Sequence, residues 1–341
     1  MSGRSIHAVP LSDDAALAAW NAVLAHGESH GRERYATPWA LPEMLERLRG
    51  PEHGMVYEAW ALTEDDVVRA SALVEYRTTD NVERIDATVV VDPDHRGRGL
   101  GSALLDAMVE RTRALGRTRL GADAWWPMEA GTDGVGTLGA DFLRARGFAL
   151  GSSEILRVLT LPTPDAVLDR LAADAATHHA DYRIVAFVGP VPDGFAAGWA
   201  TLAGSLEAEA PTGGIEIEAA DHGVEGLRTE EALMVRQGRT PHRAVAVDAA
   251  GDVVAYTELV TTAHEPERAY QWGTLVRADH RGHRLGMAVK VAAQRLLQQH
   301  APGVREVFTW NAEENGPMIA VNEALGFRAV ERAGWFERRL D

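Results

Sequence analysis

The chain contains two copies of one motif, Thr88-Val-Val-Val-Asp-Pro-Asp-His-Arg-Gly-Arg-Gly-Leu-Gly101 and Gly273-Thr-Leu-Val-Arg-Ala-Asp-His-Arg-Gly-His-Arg-Leu-Gly286. Both copies share the core His-Arg-Gly-x-x-Leu-Gly. Each follows a run rich in β-branched residues, over 85–91 and 270–276, and precedes apolar residues at helical spacing. Each copy is therefore predicted to join a strand to a helix, and the repeat predicts two similar domains.

The sequence around the two copies repeats as well. Two alternating runs precede each copy and predict hairpin strands; they cover 55–62 and 67–76 in the first half, and 243–247 and 253–260 in the second. A further strand and a short helix follow each copy, and the helices end before Gly147-Phe148 and Gly326-Phe327, where glycine is typical of a helix C-terminus. The predicted boundaries are 1–161 for the first domain, 162–180 for a linker and 181–341 for the second domain.

Composition limits the class of protein. A chain of 341 residues with 46% hydrophobic residues is long enough for two globular domains. The formal charge of −16 argues against binding of nucleic acids or anionic membranes. The chain contains no cysteine, signal peptide or run of apolar residues that could cross a membrane, so we expect a cytoplasmic protein without disulfides or a thiolate metal site.

The repeated loop has the features of an anion site. Glycines allow the backbone to approach a ligand closely, and the helix that follows presents unpaired amide groups and the positive end of its dipole. In the first copy, Arg96 and Arg98 add positive charge. A dinucleotide fold would require Gly-x-Gly-x-x-Gly in a βαβ unit, and the hairpins before the loop argue against that fold. The loop therefore indicates a pyrophosphate ligand.

On these motifs the chain resembles the GNAT acyltransferase superfamily, whose acyl-CoA loop reads Gln/Arg-x-x-Gly-x-Gly/Ala after the fourth strand. Both halves resemble this family, so the chain looks like a tandem GNAT protein of the mycothiol synthase type. The resemblance implies an α/β (α+β) fold with two GNAT-like domains. Each domain would have a mixed, mainly antiparallel sheet that is splayed between its fourth and fifth strands and flanked by helices.

The resemblance also implies acetyl-CoA as cosubstrate, without a metal. The implied cofactor-binding residues of the first half are Val90, Val91, Arg96, Gly97, Arg98, Gly99, Leu100, Gly101 and Ser102. Those of the second half are Leu275, Val276, Arg281, Gly282, His283, Arg284 and Gly286.

The second loop carries Arg284 at the position of Gly99. If that position needs a positive φ, the arginine weakens the loop. If the position is already helical, the arginine adds a partner for a phosphate. The sequence leaves both alternatives open.

The candidate catalytic residues lie in the second half. In the family a tyrosine four residues before the glycine of Gly-Phe often serves as the acid, and Leu143 and Asn322 occupy that position here. Only Asn322 can donate a hydrogen bond, so the second half is expected to be catalytic, with Asn315 on the same segment. Glu258 is the first candidate for a general base, with Glu75 as its rough counterpart in the first half.

Asp86 and Gln271, at matching positions of the fourth strand in each half, are the next candidates for the base. The acceptor is expected over the cleft of the second half, in a region that contains segments 210–215 and 229–239. An acidic surface would suit a cationic acceptor.

The expected function is transfer of an acetyl group from acetyl-CoA to the amine of a small molecule by direct attack. The alternatives are a non-catalytic protein that senses coenzyme A, or an acyltransferase that uses another acyl-CoA or a protein amine. The partner is expected to be a small-molecule amine, not a nucleic acid or a membrane, and the sequence does not indicate an oligomer.

Overall fold

The computed structural model describes residues 3–50, 54–209 and 223–340. The chain forms two compact units. The first comprises Met1–Ser153 with Ala333–Asp341, and the second comprises Glu154–Arg332. Of the two segments where the sequence predicts the acceptor, 210–215 lies outside the described residues, and 229–239 covers the end of one helix and the start of the strand that follows it.

The strands are β1 (Arg4–Ala8), β2 (Met55–Glu64), β3 (Val67–Arg77), β4 (Arg84–Val91), β5 (Arg119–Pro127), β6 (Ala149–Thr160), β7 (Arg183–Val188), β8 (Arg239–Val247), β9 (Val253–Thr262), β10 (Arg268–Val276), β11 (Glu306–Ala312) and β12 (Arg328–Arg339). The helices are α1 (Asp14–Ser29), α2 (Leu41–Arg49), α3 (Leu100–Ala114), α4 (Leu138–Arg144), α5 (Asp165–Ala176), α6 (Asp193–Glu209), α7 (Gly223–Arg236), α8 (Leu285–His300) and α9 (Gly316–Leu325). In the described ranges, no helix is long and apolar enough to cross a membrane.

The sheet of the first unit has the order β1-β2-β3-β4-β5, followed by the end of β12. Strands β1 to β4 pair antiparallel, whereas β4 and β5 are parallel. The parallel register runs from Arg84 opposite Arg119 to Asp86 opposite Gly121 and stops there. Beyond Asp86 the two strands separate, which confirms the splay expected between the fourth and fifth strands.

The second unit repeats this arrangement. Strands β7 to β10 pair antiparallel, and β10 runs parallel to β11 until Gln271 lies opposite Thr309. The other edge of β11 pairs antiparallel with the part of β6 that runs from Glu154 to Thr160. The predicted mixed α/β fold, with two domains of the same arrangement, is therefore confirmed.

The compact units differ from the predicted domain boundaries. Strand β6 changes unit between Ser153 and Glu154, and β12 changes unit between Arg332 and Ala333. Each sheet is thus completed by a strand segment from the other half of the sequence. The predicted linker 162–180 contains α5, which packs against α8 in the second unit.

Each unit has its own hydrophobic core. In the first unit, apolar residues of β3, β4, β5 and α3 surround Trp126 and Phe336, whose rings meet edge to face with centroids 6.4 Å apart. On the opposite side of this sheet, Trp20 and Leu17 of α1 are completely buried. The buried face of α1 fixes this helix against β3 and β4, and its position matters for the site.

Candidate active site

The first repeated loop has the conformation of an anion-binding loop. Gly97 and Gly99 have φ values of +76° and +80°, a region that side chains disfavour, and α3 begins directly afterwards at Leu100. A Cβ atom added at either glycine would meet no atom within 4 Å, so the space above the loop is open. No side chain among the described residues caps the first turn of α3. The free amide groups of this turn therefore face open space, which fits a pyrophosphate.

The arginines of the first loop are held near it. Arg96 donates hydrogen bonds to the carbonyl oxygens of Val91 and Gly27, at 3.4 and 3.3 Å. Arg98 forms an ion pair with Glu64 at 2.9 Å, with half of its side chain still exposed. Ser102, in the first turn of α3, accepts a hydrogen bond from Arg146.

Close packing joins the loop to its neighbours. A Cβ atom on Gly101 would lie 3.2 Å from Val91 and 3.4 Å from Phe142 of α4. A Cβ atom on Gly27 would lie only 2.0 Å from a methyl group of Val90. Val90 therefore packs against α1, and this contact brings the end of α1 beside the loop.

The second loop repeats the backbone conformation with an arginine in the left-handed position. Gly282 has a φ of +88°, and Arg284 has a φ of +52° and a ψ of +23°. Gly99 is left-handed at the equivalent position, so this position has a positive φ in both loops, and weaker binding by the second loop stays a prediction. This conformation costs a non-glycine residue about 1–2 kcal/mol.

Contacts from the segment after β6 cover the second loop. Arg284 forms an ion pair with Asp174 of α5. His283 lies 3.1 Å from the carbonyl oxygen of His178, and His280 shares a hydrogen bond of 2.9 Å with the hydroxyl of Tyr182. A phosphate at this loop would meet the Asp174 carboxylate.

The remaining residues of the second loop keep the geometry of the first. Arg281 donates to the carbonyl oxygen of Val276 at 3.3 Å, and Leu275 is buried in the core. Gly286 lies against Val276, where an added Cβ would be 3.7 Å away.

Asn322 and Asn315, the predicted catalytic residues of α9, have different surroundings. Asn322 is fully buried and its amide group donates to the Oδ1 atom of Asn311 at 2.5 Å. Its own Oδ1 atom is buried without a hydrogen-bond partner in the described residues. Asn315 caps α9 by accepting a hydrogen bond from the backbone of Met318 at 3.3 Å.

Glu258, the predicted base, lies inside the second unit and is only 7% exposed. Its carboxylate accepts a hydrogen bond from Arg243, which also contacts Glu231 and the carbonyl oxygen of Gly189. These contacts give Glu258 a structural partner, and its role as a base stays a prediction. Gln271, the candidate base on the fourth strand of this half, donates a hydrogen bond to the backbone carbonyl of Glu258 at 2.7 Å. Its side chain therefore binds the backbone of β9.

The first unit contains a cavity that the sequence did not predict. Its volume is about 250 Å³. The wall is formed by residues of α1, α2, β3, β4, β5 and the segment between α1 and α2, together with Trp335. Ala87, Thr88, Ala122 and Asp123 lie where β4 and β5 separate, so the cavity opens at the splay. Asp86 and Glu75, two of the weaker candidates from the sequence, line this cavity.

Two carboxyl groups of the cavity are close enough to interact. Asp123 accepts hydrogen bonds from the Thr88 hydroxyl at 2.8 Å and from the Trp125 indole at 2.9 Å. Burial, followed by the charge of Asp123, raises the pKa of Glu28 to about 8, and Arg32 acts in the opposite direction. A carboxyl group with a pKa near neutrality can accept and release protons under physiological conditions.

The first half therefore contains chemical groups that the sequence reading missed. Asn21 and Glu28 are seven residues apart on α1 and share one face of the helix. The sequence shows this spacing, but it does not show that α1 approaches β4 at Gly27. Within the described ranges, no group of three or more metal-ligating side chains is present.

Comparison with known proteins agrees with this geometry. Residues 56–148 match the model described as "Acetyltransferase (GNAT) domain", and residues 212–327 match the model described as "Acetyltransferase (GNAT) family". The chain therefore belongs to the GNAT acetyltransferase family and carries two GNAT domains in tandem.

A solved tandem GNAT protein from the clavulanic acid biosynthesis pathway is 27% identical, with a TM-score of 0.80 over 99% of this chain and 98% of that one. A GCN5-related N-acetyltransferase from Sphaerobacter thermophilus shares the fold at 16% identity, with a TM-score of 0.63 over 98% of this chain and 95% of the other. The mycothiol acetyltransferase of Acidothermus cellulolyticus is 40% identical over 81 residues, a match that spans only 24% of either chain.

Proposed function

We propose that the protein transfers the acetyl group of acetyl-CoA to the primary amine of a small molecule, and that the first unit carries out this reaction. One observation carries the proposal. An open anion loop and a cavity lie along the same strand, β4, with the cavity at Ala87 and Thr88 and the loop after Val91. A cosubstrate bound at the loop and an acceptor in the cavity would meet at the splay of β4 and β5.

The residues of the first loop fit acetyl-CoA, which supplies an acetyl thioester when bound. The amide groups at the start of α3 would hold the pyrophosphate, and Arg96 and Arg98 would add positive charge beside it. Val90 and Val91, at the end of β4, would lie along the pantetheine arm.

The side chains of the cavity can handle the proton of the amine. An ammonium group must lose a proton before its nitrogen can attack the thioester carbonyl carbon. Asp123, which lines the cavity where β4 and β5 separate, is placed to accept this proton. As the new C–N bond forms, the C–S bond breaks, and the sulfur leaves as a thiolate that takes up a proton. Positioning of the amine contributes the larger part of the rate.

A second candidate places the reaction in the second unit, as the sequence predicts. The buried Oδ1 atom of Asn322, which lacks a partner among the described residues, favours it. Against it stand the ion pair between Arg284 and Asp174 and the engagement of Glu258 by Arg243.

The proposed activity is tested by measuring thiol release from acetyl-CoA with a panel of small amines. The absence of cysteine from the chain removes any background from protein thiols. We expect amine-dependent release of coenzyme A. If acetyl-CoA binds but no amine causes thiol release, the protein is a coenzyme-A-binding sensor and the proposal fails.

A further inference from the structure

The cavity of the first unit contains a polar side chain that has no hydrogen-bond partner among the described residues. Asn21 lines the cavity and is only 7% exposed, and its carboxamide forms no hydrogen bond with any described residue. The carboxamide of Asn21 is therefore available to a ligand that fills the cavity.

The wall of the cavity has an excess of negative charge. Four carboxyl groups line it, those of Glu28, Glu75, Asp86 and Asp123, against the two guanidinium groups of Arg32 and Arg47.

Some of these charges are matched within the unit. Arg47 lies 3.5 Å from Glu75. Arg84, just outside the wall, binds Asp86 through both of its carboxylate oxygens and also lies 3.5 Å from Glu337. Arg47 and Arg84 thus engage Glu75 and Asp86.

The other two carboxyl groups of the wall are those of Glu28 and Asp123. In the described part of the chain, neither carboxyl group has an ion pair within 4 Å, and both partners of Asp123 are neutral. Arg32, the nearest cation, stacks on the Trp125 ring at 4.3 Å and donates to the backbone carbonyl of Glu28 at 3.2 Å.

We infer that the acceptor carries a second cationic group in addition to the reacting amine, and that Asn21 and Glu28 bind it. This inference rests on the proposed function, because it identifies the chemical class of the acceptor at the same site. Two positive charges, one beside Asp123 and one beside Glu28, would compensate the two carboxyl groups that lack an ion pair, because a cation bound beside Glu28 lowers its pKa and favours its ionised form. An anionic acceptor would increase the electrostatic cost of the site.

The tryptophan side chains and the small volume of the cavity favour a narrow, partly apolar acceptor. Trp39, Trp125 and Trp335 contribute apolar wall, and a volume of about 250 Å³ is at the lower end for small-molecule sites. Arg47 covers one face of Trp39 at 4.1 Å, as Arg32 covers Trp125. The carboxylates, rather than these ring faces, would therefore hold the cationic groups.

The inference is tested with three probes that share a primary amine and a five-carbon chain but differ at the other end. Cadaverine ends in an ammonium group, pentylamine in a methyl group and δ-aminovalerate in a carboxylate. Thiol release from acetyl-CoA gives kcat/KM, and calorimetry in the presence of coenzyme A gives the affinity of each probe. We expect cadaverine to exceed pentylamine by about tenfold or more in both measurements, with δ-aminovalerate weakest.

Variants identify the groups responsible. Glu28→Gln should reduce the preference for cadaverine toward unity, whereas Asp123→Asn should lower kcat/KM for cadaverine and pentylamine alike. Glu110→Gln, on the exposed face of α3, should leave the preference unchanged. Equal values for cadaverine and pentylamine in the wild-type chain would overturn the inference while leaving the proposed function intact. If cadaverine binds preferentially but no probe is acetylated, the proposed function fails and the binding site stands. If no probe binds or reacts, the inference is overturned.

Discussion

The guanidinium group of Arg96 donates a hydrogen bond to the carbonyl oxygen of Gly27, at 3.3 Å. Arg96 belongs to the anion loop, and Gly27 immediately precedes Glu28 in the last turns of α1. The same contact region contains Val90, which packs against Gly27. The loop that would hold the cosubstrate is thus joined directly to the helix that forms one wall of the cavity.

Replacement of Gly99 by aspartate should disrupt this loop. The change places a carboxylate beside the pyrophosphate position and a side chain on a backbone with a φ of +80°. We expect the affinity of the first unit for acetyl-CoA to fall by at least about 100-fold, measured by calorimetry. Gly116→Asp is the matched control, because Gly116 is also left-handed and unobstructed but lies beyond the other end of α3. Unchanged binding in Gly99→Asp would contradict the assignment of the phosphate loop.

Replacement of Gly27 by alanine should separate α1 from β4. The new methyl group would lie 2.0 Å from Val90 and 3.2 Å from the carbonyl oxygen of Val91. We expect the free energy of unfolding to fall by about 1–3 kcal/mol in chemical denaturation, together with weaker acceptor binding. Gly194→Ala, in the first turn of α6 with no atom within 4 Å of its added Cβ, should have little effect. Equal stability of the two variants would contradict the close approach of α1.

The raised pKa of Glu28 predicts a pH-dependent stability. Between the ordinary carboxyl pKa of 4.5 and the folded value of about 8, the folded protein holds a proton that the unfolded chain has lost. The free energy of unfolding of the wild type therefore decreases as the pH rises through this window, by up to about 1.4 kcal/mol per pH unit, and levels off above it.

Glu28→Gln removes the pH-dependent contribution of Glu28 to the free energy of unfolding. Its stability relative to the wild type should increase from about pH 5 to about pH 8, measured by urea denaturation across that range. Glu110→Gln controls for the substitution itself. A constant difference between Glu28→Gln and the wild type would show that the pKa of Glu28 is not raised.

Replacement of Arg284 by glycine should stabilise the second unit. Glycine adopts the left-handed conformation without strain, and the exposed ion pair with Asp174 contributes little. We expect the free energy of unfolding to rise by about 0.5–1 kcal/mol. Arg281→Gly is the control, because it makes the same change at a residue with a φ of −70°. We expect it to lower the free energy of unfolding by a similar amount. Destabilisation by Arg284→Gly would show that the contact with Asp174 outweighs the strain.

Much of the fold could be predicted from the repeated motif and the hairpin runs before it. The strands and the loop-helix junctions lie where the alternation and the glycines indicate. The change of unit within β6 and β12 could not be predicted, because the residue pattern of a strand does not specify its neighbour in a sheet. The contact between Glu154–Thr160 and β11 joins segments about 150 residues apart.

The candidate site was harder to predict for a related reason. The sequence placed Glu258 at a cleft, but β9 is buried along nearly its whole length, so alternation could not distinguish an open face from the core. The cavity of the first unit brings Asn21, Asp123 and Trp335 together from three distant parts of the chain. Only the packing of α1 against β4 reveals that these residues share one site.

The central claim, that acetyl transfer takes place in the first unit, is tested most directly by a pair of equivalent loop variants. Gly97 and Gly282 occupy the same position in the two loops, have φ values of +76° and +88°, and have open space above them. The rate of amine-dependent thiol release should fall by at least about 100-fold in Gly97→Asp and should change less than about threefold in Gly282→Asp. The opposite result, with the rate lost in Gly282→Asp and kept in Gly97→Asp, would contradict the claim and place the reaction in the second unit.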